Sequence, residues 1–337
     1  MYFLRTEVAP VTSSQTQMNR RLLFVMSALI ASGCTKEQPK PLPDNQAHPP
    51  EESVAQIPAF SGARAFRSLV AQTTFGPRNP GSPGHSACRD YLIGEMKKYA
   101  DDVRLQEFDH TGYQGERFRL TNIIASFAPG SQDRILLCAH WDTRPRAEND
   151  TDKSRRNEPI IGANDGASGV AVLIELASLF RQSRPPIGVD LVLLDGEDYC
   201  KEGDIDSYLL GARYFASHQP PDYRFGVLLD MVGDKFLDIP KEQNSMKYAP
   251  DVMETIWNTA RALGYPQFVD EAGETMTDDH LPLNEAGIKT VDLIDFDYPD
   301  PTNRFWHSHQ DVPENCSAES LEAVGTVLTH VVFAQTQ

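Results

Sequence analysis

The stretches RILLCAH (134–140), ASGVAVLIELASLF (167–180) and VDLVLLD (189–195) decide the fold of this 337-residue chain. The first and third are short leucine-rich or β-branched runs with the length of buried strands. The stretch between them has apolar residues at helical spacing. A strand, a helix and a second strand in this order predict a parallel pair with a helix packed against it.

The same alternation continues along the chain. Further strand-like runs lie at 103–108, 119–127, 225–231 and 288–295, and further helical runs at 63–74, 85–100, 251–264 and 317–334. The sequence therefore predicts an α/β fold, a three-layer sandwich in which a mixed, mostly parallel central sheet is flanked by α-helices.

Composition and charge bound the function classes. Hydrophobic residues make up 40% of the chain and charged residues 23%, which is typical of a globular protein that can bury a sizeable core. The formal net charge of -17 argues against a nucleic-acid partner, because binding to phosphates needs an excess of Lys and Arg. We therefore expect no nucleic-acid binding.

The N-terminal region has the layout of an export signal. Arg20 and Arg21 follow Met18, which makes a better start than Met1, and precede the apolar run 22–30. The run is too short for a permanent membrane span, which needs about 20 apolar residues. It leads into Cys34 in a context that resembles a bacterial lipoprotein signal, although an ordinary cleavage site beside an incidental cysteine remains the alternative. We expect an exported, periplasmic protein whose only membrane attachment is a lipid anchor at Cys34. The predicted organisation is a signal segment at 1–33, a Pro-rich flexible tether at 34–56 and a single catalytic domain at 57–337.

Four cysteines remain beyond Cys34. An oxidising compartment permits disulfides, four cysteines allow three pairings, and none of the spacings is that of a zinc finger. The pairing among them stays open at this point; they are Cys88, Cys138, Cys200 and Cys316.

Polar side chains follow three of the predicted strands. His140 ends RILLCAH, Glu197 and Asp198 follow VDLVLLD, and Asp230 lies near the end of FGVLLDM. Ligands of open α/β sheets bind beyond the carboxyl ends of the strands. We therefore expect these side chains to meet at one edge of the sheet.

The chemistry of this edge is that of a metal site. In GED (196–198), one carboxylate can hold a metal while its neighbour moves protons. The alternative is that these acids belong to a solvated loop, and we adopt that interpretation only for the acids after Asp198. Asp165 lies in the glycine-rich turn GANDGASGV, where capping of the next helix is the alternative role.

Two later motifs, TDDHLPLNEAG (277–287) and RFWHSHQD (304–311), contribute further acids and histidines. The alternative roles of these acids and histidines are helix capping, packing of a Trp–His pair or a plain loop position. Carboxylates and imidazoles without thiolates favour zinc over manganese or another divalent ion. The candidates are Asp278, Asp279, His280, His307 and His309.

Seven motifs in this order resemble the zinc aminopeptidase family that also contains the animal-type glutaminyl cyclases: AHWD, GANDGASGVAVLIELA, LLDGED, LLGARYFA, LLDMVGD, DDHLPL and FWHSHQD. The resemblance covers roughly residues 63–334 and implies a mixed sheet between helices. It also implies that Asp165, Asp198 and His307 are zinc ligands and that Glu197 is the general acid and base.

The resemblance leaves two branches of the family to choose between. The aminopeptidases bind two zincs and use two further ligands, matched here by His140 and Asp230. The cyclases bind one zinc; Asp198 in place of the usual Glu, the paired acids of DDHLPL and Trp306 directly before the ligand histidine favour this branch. The animal cyclases carry a histidine where this chain has Asp292. The role of that histidine therefore cannot be assigned to Asp292 on the resemblance alone.

The resemblance to the cyclases implies one Zn²⁺ per chain and, as substrates, peptides or proteins with N-terminal Gln, which are converted to pyroglutamyl products with release of ammonia. Glu197 is then the proton carrier, Asp230 and Asp278 orient the amide, and Trp306 forms a wall of the substrate pocket. The alternatives are a two-zinc aminopeptidase and a binding lipoprotein without catalysis, which would not need Glu197. No G-x-S-x-G or H-E-x-x-H motif supports a serine hydrolase or a thermolysin-like protease.

Overall fold

The computed structural model describes residues 57–201, 204, 207–218 and 220–335. The predicted signal segment and tether, with Met18 and Cys34, lie outside these residues. Among the described helices, none is long and apolar enough to cross a membrane.

A mixed six-stranded sheet forms the middle layer. Its strand order is β1-β2-β4-β3-β5-β8, in which the β1-β2 and β2-β4 pairs are antiparallel and the other pairs are parallel. A separate parallel pair is formed by β6 and β7. The strands are β1 (Asp102–Thr111), β2 (Arg117–Phe127), β3 (Arg134–His140), β4 (Gly188–Leu194), β5 (Gly226–Asp230), β6 (Ile239–Lys241), β7 (Phe268–Ala272) and β8 (Thr290–Ile294).

The helices lie in two groups. In the first group, contacts run from α2 to α3, from α3 to α1, from α1 to α8 and from α8 to α6. In the second group, α4 contacts α7. The helices are α1 (Gly62–Thr73), α2 (Pro83–Tyr99), α3 (Ser168–Gln182), α4 (Leu210–Ser217), α5 (Gln243–Tyr248), α6 (Pro250–Leu263), α7 (His280–Glu285) and α8 (Ala318–Phe333).

Successive side chains of the inner strands enter different cores. Leu137 and Ala139 of β3 belong to the large core shared with α1, α3 and α8, whereas Leu136 and Cys138 belong to a smaller core shared with α4 and α7. This alternation is the consequence of the two-residue period of a strand. Both faces of the sheet are therefore covered, and the predicted three-layer α/β class is confirmed.

The parallel strands end at one edge of the sheet and bring their terminal residues together. His140 is the last residue of β3, Asp230 the last of β5, and the loop with Glu197 and Asp198 follows β4. The β6-β7 pair, α4 and α5 were not among the predicted elements. In the described part of the chain the four cysteines are buried and free, so none of the three possible pairings forms.

Candidate active site

Asp165, Asp198 and His307, the metal triad, meet beyond the sheet edge. Their ligand atoms lie within 4.8 Å of one another, and all three side chains are buried. His307 Nε2 lies 3.3 Å from Asp198 Oδ1 and 3.6 Å from Asp165 Oδ2. Tetrahedral zinc with bonds of about 2.0 to 2.2 Å requires ligand separations of about 3.3 to 3.6 Å. Asp198 Oδ2 is buried without a hydrogen bond. The donor set and its spacing therefore fit zinc.

The turn before α3 presents Asp165 to this site. The backbone N–H groups of Asn164 and Asp165 donate to the Asp311 carboxylate at 2.7 and 3.2 Å, and the Tyr298 hydroxyl donates to the same group. α3 has Ala167 at its N-cap and no side-chain cap hydrogen bond. Capping, the alternative role of Asp165, is therefore not what the structure shows.

Asp142 holds the loop that carries the paired acids. Its buried carboxylate accepts hydrogen bonds from the backbone N–H groups of Glu197 and Asp198, at 3.0 and 3.2 Å. Gly196 provides the left-handed turn that leaves β4, with φ of 76°. The sequence placed Asp142 after β3 but did not predict this anchoring role, nor that of Asp311.

The two adjacent acids have opposite proton affinities. Burial, followed by repulsion from Asp198, raises the pKa of Glu197 well above its ordinary value. Burial also opposes ionisation of Asp198, but His307 and then Arg144 outweigh it and lower the pKa of Asp198 to about 2. Asp198 is thus a permanent carboxylate suited to a cation, whereas Glu197 can hold and release a proton.

His140 and Asp230 form a second candidate metal site that shares Asp165 with the triad. His140 Nε2 lies 3.1 Å from Asp230 Oδ1 and 3.2 Å from Asp165 Oδ1, and the three ligand atoms are within 4.8 Å of one another. A protonated His140 would make the same contacts without a metal ion. Burial opposes this protonation, but Asp142, Asp165 and Asp230 favour it, and the pKa of His140 is raised well above its ordinary value.

A second buried group of acids, the acidic cluster, adjoins the triad. His280 Nε2 lies 3.3 Å from Glu242 and Nδ1 lies 3.4 Å from Asp292. The carboxyl oxygens of Asp279 and Asp292 have no hydrogen bonds. Burial, followed by repulsion from Asp278, raises the pKa of both Asp279 and Asp292 well above the usual range. The members of the acidic cluster are Glu242, Asp278, Asp279, His280 and Asp292.

The acidic cluster includes Asp292, the position at which this chain departs from the animal cyclases. Asp292 is fully buried, and an imidazole is still present beside it, since His280 approaches from the start of α7. Asp279 is the N-cap of α7 but makes no side-chain cap hydrogen bond. Glu242 was not predicted, because nothing in its sequence surroundings signals a partner.

A small cavity of about 70 Å³ connects the triad with Glu197, Asp230 and Asp278. Trp306 lines it and stacks on His307, with ring centroids 3.8 Å apart. His309 does not line this cavity; its Nδ1 lies 2.8 Å from Asp150. The remaining lining residues are mostly uncharged: Tyr208, Met231, Met276, Thr277, Ile294 and Phe296.

Comparisons with known proteins identify the family of this chain. The model of peptidase family M28 matches residues 122–332. A glutaminyl-peptide cyclotransferase from Bos taurus is 26% identical over 289 residues, which cover 74% of this chain and 76% of the relative.

Solved structures extend the likeness. The glutaminyl cyclase of Bacteroides thetaiotaomicron bound to N-acetylhistamine is 39% identical, with a TM-score of 0.79, and the match covers 83% of this chain and all of that one. A Zn-dependent exopeptidase from Parabacteroides distasonis is 38% identical, with the same TM-score and coverage. The predicted resemblance is confirmed, and the chain belongs to peptidase family M28.

Proposed function

We propose that this enzyme is a glutaminyl-peptide cyclotransferase, which converts the N-terminal glutamine of peptides or proteins to pyroglutamate and releases ammonia. The observation that carries the proposal is that one small cavity holds the metal triad, a proton-carrying Glu197 and the further acids Asp230 and Asp278. The similarity to proteins named glutaminyl cyclase supports the same reaction.

The metal triad would hold one zinc ion per chain. When bound there, zinc supplies a Lewis acid that polarises the γ-amide carbonyl of the substrate glutamine. The two carboxylates of the triad offset the charge of the ion, while the permanent ionisation of Asp198 keeps the site ready for it.

Glu197 carries the proton. It accepts a proton from the α-amino nitrogen as that nitrogen attacks the γ-amide carbon, and it donates the proton to the amide nitrogen as the bond from carbon to this nitrogen breaks. One carbon–nitrogen bond forms, one breaks, and ammonia leaves. The raised pKa of the buried Glu197 favours its uptake of the proton from the α-amino nitrogen.

The other cavity residues orient the substrate. Asp230 and Asp278 would accept hydrogen bonds from the leaving NH₂ group, and Trp306 would press the glutamine side chain into the folded shape that ring closure requires. Attack within one molecule gains from such orientation, since the entropic cost is met by binding.

A two-zinc aminopeptidase is the second candidate function. The observation that favours it is the His140, Asp165 and Asp230 group, whose spacing also suits a metal ion. The named exopeptidase with a similar structure supports it as well. In that reaction Glu197 would deprotonate a water molecule.

Two measurements separate these functions. The purified protein is given a glutaminyl dipeptide and a leucyl dipeptide, ammonia and free amino acids are quantified with and without a chelator, and zinc per chain is counted by elemental analysis. Cyclisation predicts ammonia from the glutaminyl dipeptide, no free leucine and one zinc. Free amino acids without ammonia, with two zincs, would establish the aminopeptidase instead.

We also propose export to the periplasm and lipid attachment at Cys34, which the basic pair Arg20 and Arg21 and the apolar run after it support. Fractionation of cells that express the full chain tests this proposal. The protein should be in the membrane fraction, and Cys34→Ser should move it to the soluble periplasmic fraction. An unchanged distribution contradicts the lipid anchor.

A further inference from the structure

Arg144 is a buried cation that contacts a member of the metal triad. It lies four residues beyond the end of β3, and its side chain is only 2% exposed. One guanidinium nitrogen, Nη1, donates to Asp198 Oδ1 at 3.0 Å and to the backbone carbonyl of Asp198 at 3.2 Å. The same residue is therefore held at both its side chain and its backbone.

The opposite side of this guanidinium is also fixed. Its Nε and Nη2 donate to the Glu148 carboxylate at 3.2 and 2.9 Å, and Nη1 lies 3.0 Å from Cys200 Sγ. The Tyr208 ring lies 5.4 Å from the guanidinium carbon. A planar group with partners on each of its nitrogens cannot change its orientation without breaking several hydrogen bonds.

The consequence for Asp198 is that its two oxygens are unlike. Oδ1 accepts the hydrogen bond from Arg144, whereas Oδ2 is buried with no hydrogen bond. Oδ1 also lies 3.3 Å from His307 Nε2, so the oxygen that Arg144 holds is the one that faces the histidine of the metal triad.

We propose that Arg144 is a positioning residue of the metal centre, whose hydrogen bonds to Oδ1 and to the backbone carbonyl of Asp198 hold this side chain in its ligand orientation. The inference rests on the part of the proposed function that places zinc at the triad, and it does not depend on the substrate. Groups that orient metal ligands typically contribute 10- to 100-fold to metal affinity.

The charge of Arg144 acts in the opposite direction. A guanidinium next to a ligand carboxylate repels a divalent ion, so removal of the charge alone would tighten zinc binding. Loss of the fixed orientation would weaken it. The sign of the change in zinc affinity therefore distinguishes positioning from simple electrostatics.

Arg146 offers a matched control. Its Nε also donates to Glu148, at 3.1 Å, and it contacts the backbone carbonyl of Cys200, but its guanidinium makes no contact with Asp198 among the described interactions. Arg146→Gln thus removes a neighbouring cation from the same Glu148 carboxylate and leaves the ligand contact intact.

The experiment is a zinc titration of the metal-free protein against a chromophoric chelator, for wild type, Arg144→Gln, Arg144→Lys and Arg146→Gln. We expect Arg144→Gln to raise the zinc Kd about 10- to 100-fold, Arg144→Lys to raise it at least as much because it keeps the repelling charge, and Arg146→Gln to change it less than about threefold. Cobalt spectra of the same proteins should show an altered ligand field only in the Arg144 variants.

Tighter or unchanged zinc binding in Arg144→Gln would overturn the inference. If that variant does not fold by circular dichroism, Arg144→Lys decides by the same criterion, since a lysine keeps the charge without the planar fork. If the wild-type protein binds no zinc, the metal assignment of the proposed function is contradicted. If the wild-type protein binds zinc and the Arg144 variants bind it equally well, only the positioning role of Arg144 is contradicted.

Discussion

The metal triad and the acidic cluster are both buried and rich in carboxyl groups, yet they solve the problem of buried charge differently. Around the triad, imidazoles and the Arg144 guanidinium face the carboxylates; burial raises the pKa of Asp165, but the pKa of Asp198 falls to about 2. In the acidic cluster four carboxyl groups share one imidazole: His280 outweighs burial and lowers the pKa of Glu242 to about 2, while the pKa values of Asp279 and Asp292 rise well above the usual range. Asp198 is thus an ionised ligand suited to a cation, whereas Asp279 and Asp292 favour bound protons.

A matched pair of substitutions gives the largest expected contrast between the two regions. Asp198→Asn removes a charged ligand, so zinc should be lost and kcat/KM should fall about 10⁴-fold. Asp292→Asn replaces a protonated carboxyl with a neutral group of the same shape, so kcat/KM should change less than about tenfold. Zinc analysis and ammonia release measure both. Equal losses in the two variants would contradict the distinction between the regions.

Glu197 stands between the two regions and should separate metal binding from catalysis. Glu197→Gln keeps the size of the side chain but removes its proton chemistry, so kcat should fall about 10³-fold while zinc content remains that of wild type. Glu158, an exposed acid, serves as the control, and Glu158→Gln should leave kcat unchanged. Loss of zinc in Glu197→Gln would assign Glu197 to the metal site instead.

The pH dependence of stability gives the smallest expected effect. Because the pKa of folded Asp292 is raised, the unfolded chain releases the proton first as pH rises above about 4, and folding then loses stability by up to about 1.4 kcal/mol per pH unit until the folded pKa is reached. Asp292→Asn cannot titrate. Its stability relative to wild type, from urea denaturation at pH 5 and pH 8, should therefore increase with pH. A constant difference would show that Asp292 ionises normally in the folded protein.

The sequence predicted the residues whose positions follow from strand order. Asp165, Glu197 and Asp198 come directly after or before elements with clear periodicity, and parallel strands bring such residues to one edge. His307 was a candidate from its motif, but its assignment as a ligand required the resemblance to a known family, since a histidine beside a tryptophan is more often a packed pair than a ligand. The roles assigned to these residues stay predictions until activity and metal content are measured.

Other features depend on packing that no local pattern encodes. Arg144 meets Asp198 across a separation of 54 residues, and Glu242 meets His280 from a different element. The short β6-β7 pair has too few residues for a periodic signal. The cysteines could not be paired in advance because pairing depends on distances between separate elements.

The mass of the product that the zinc-loaded protein forms from a peptide beginning with Gln separates the two reactions directly. Cyclisation predicts a peptide that has lost one ammonia, retains all its residues and has a blocked N-terminus, with no such product when Glu197 is changed to Gln. A peptide shortened by its first residue, with free glutamine in solution, would contradict cyclisation and identify the two-zinc aminopeptidase reaction.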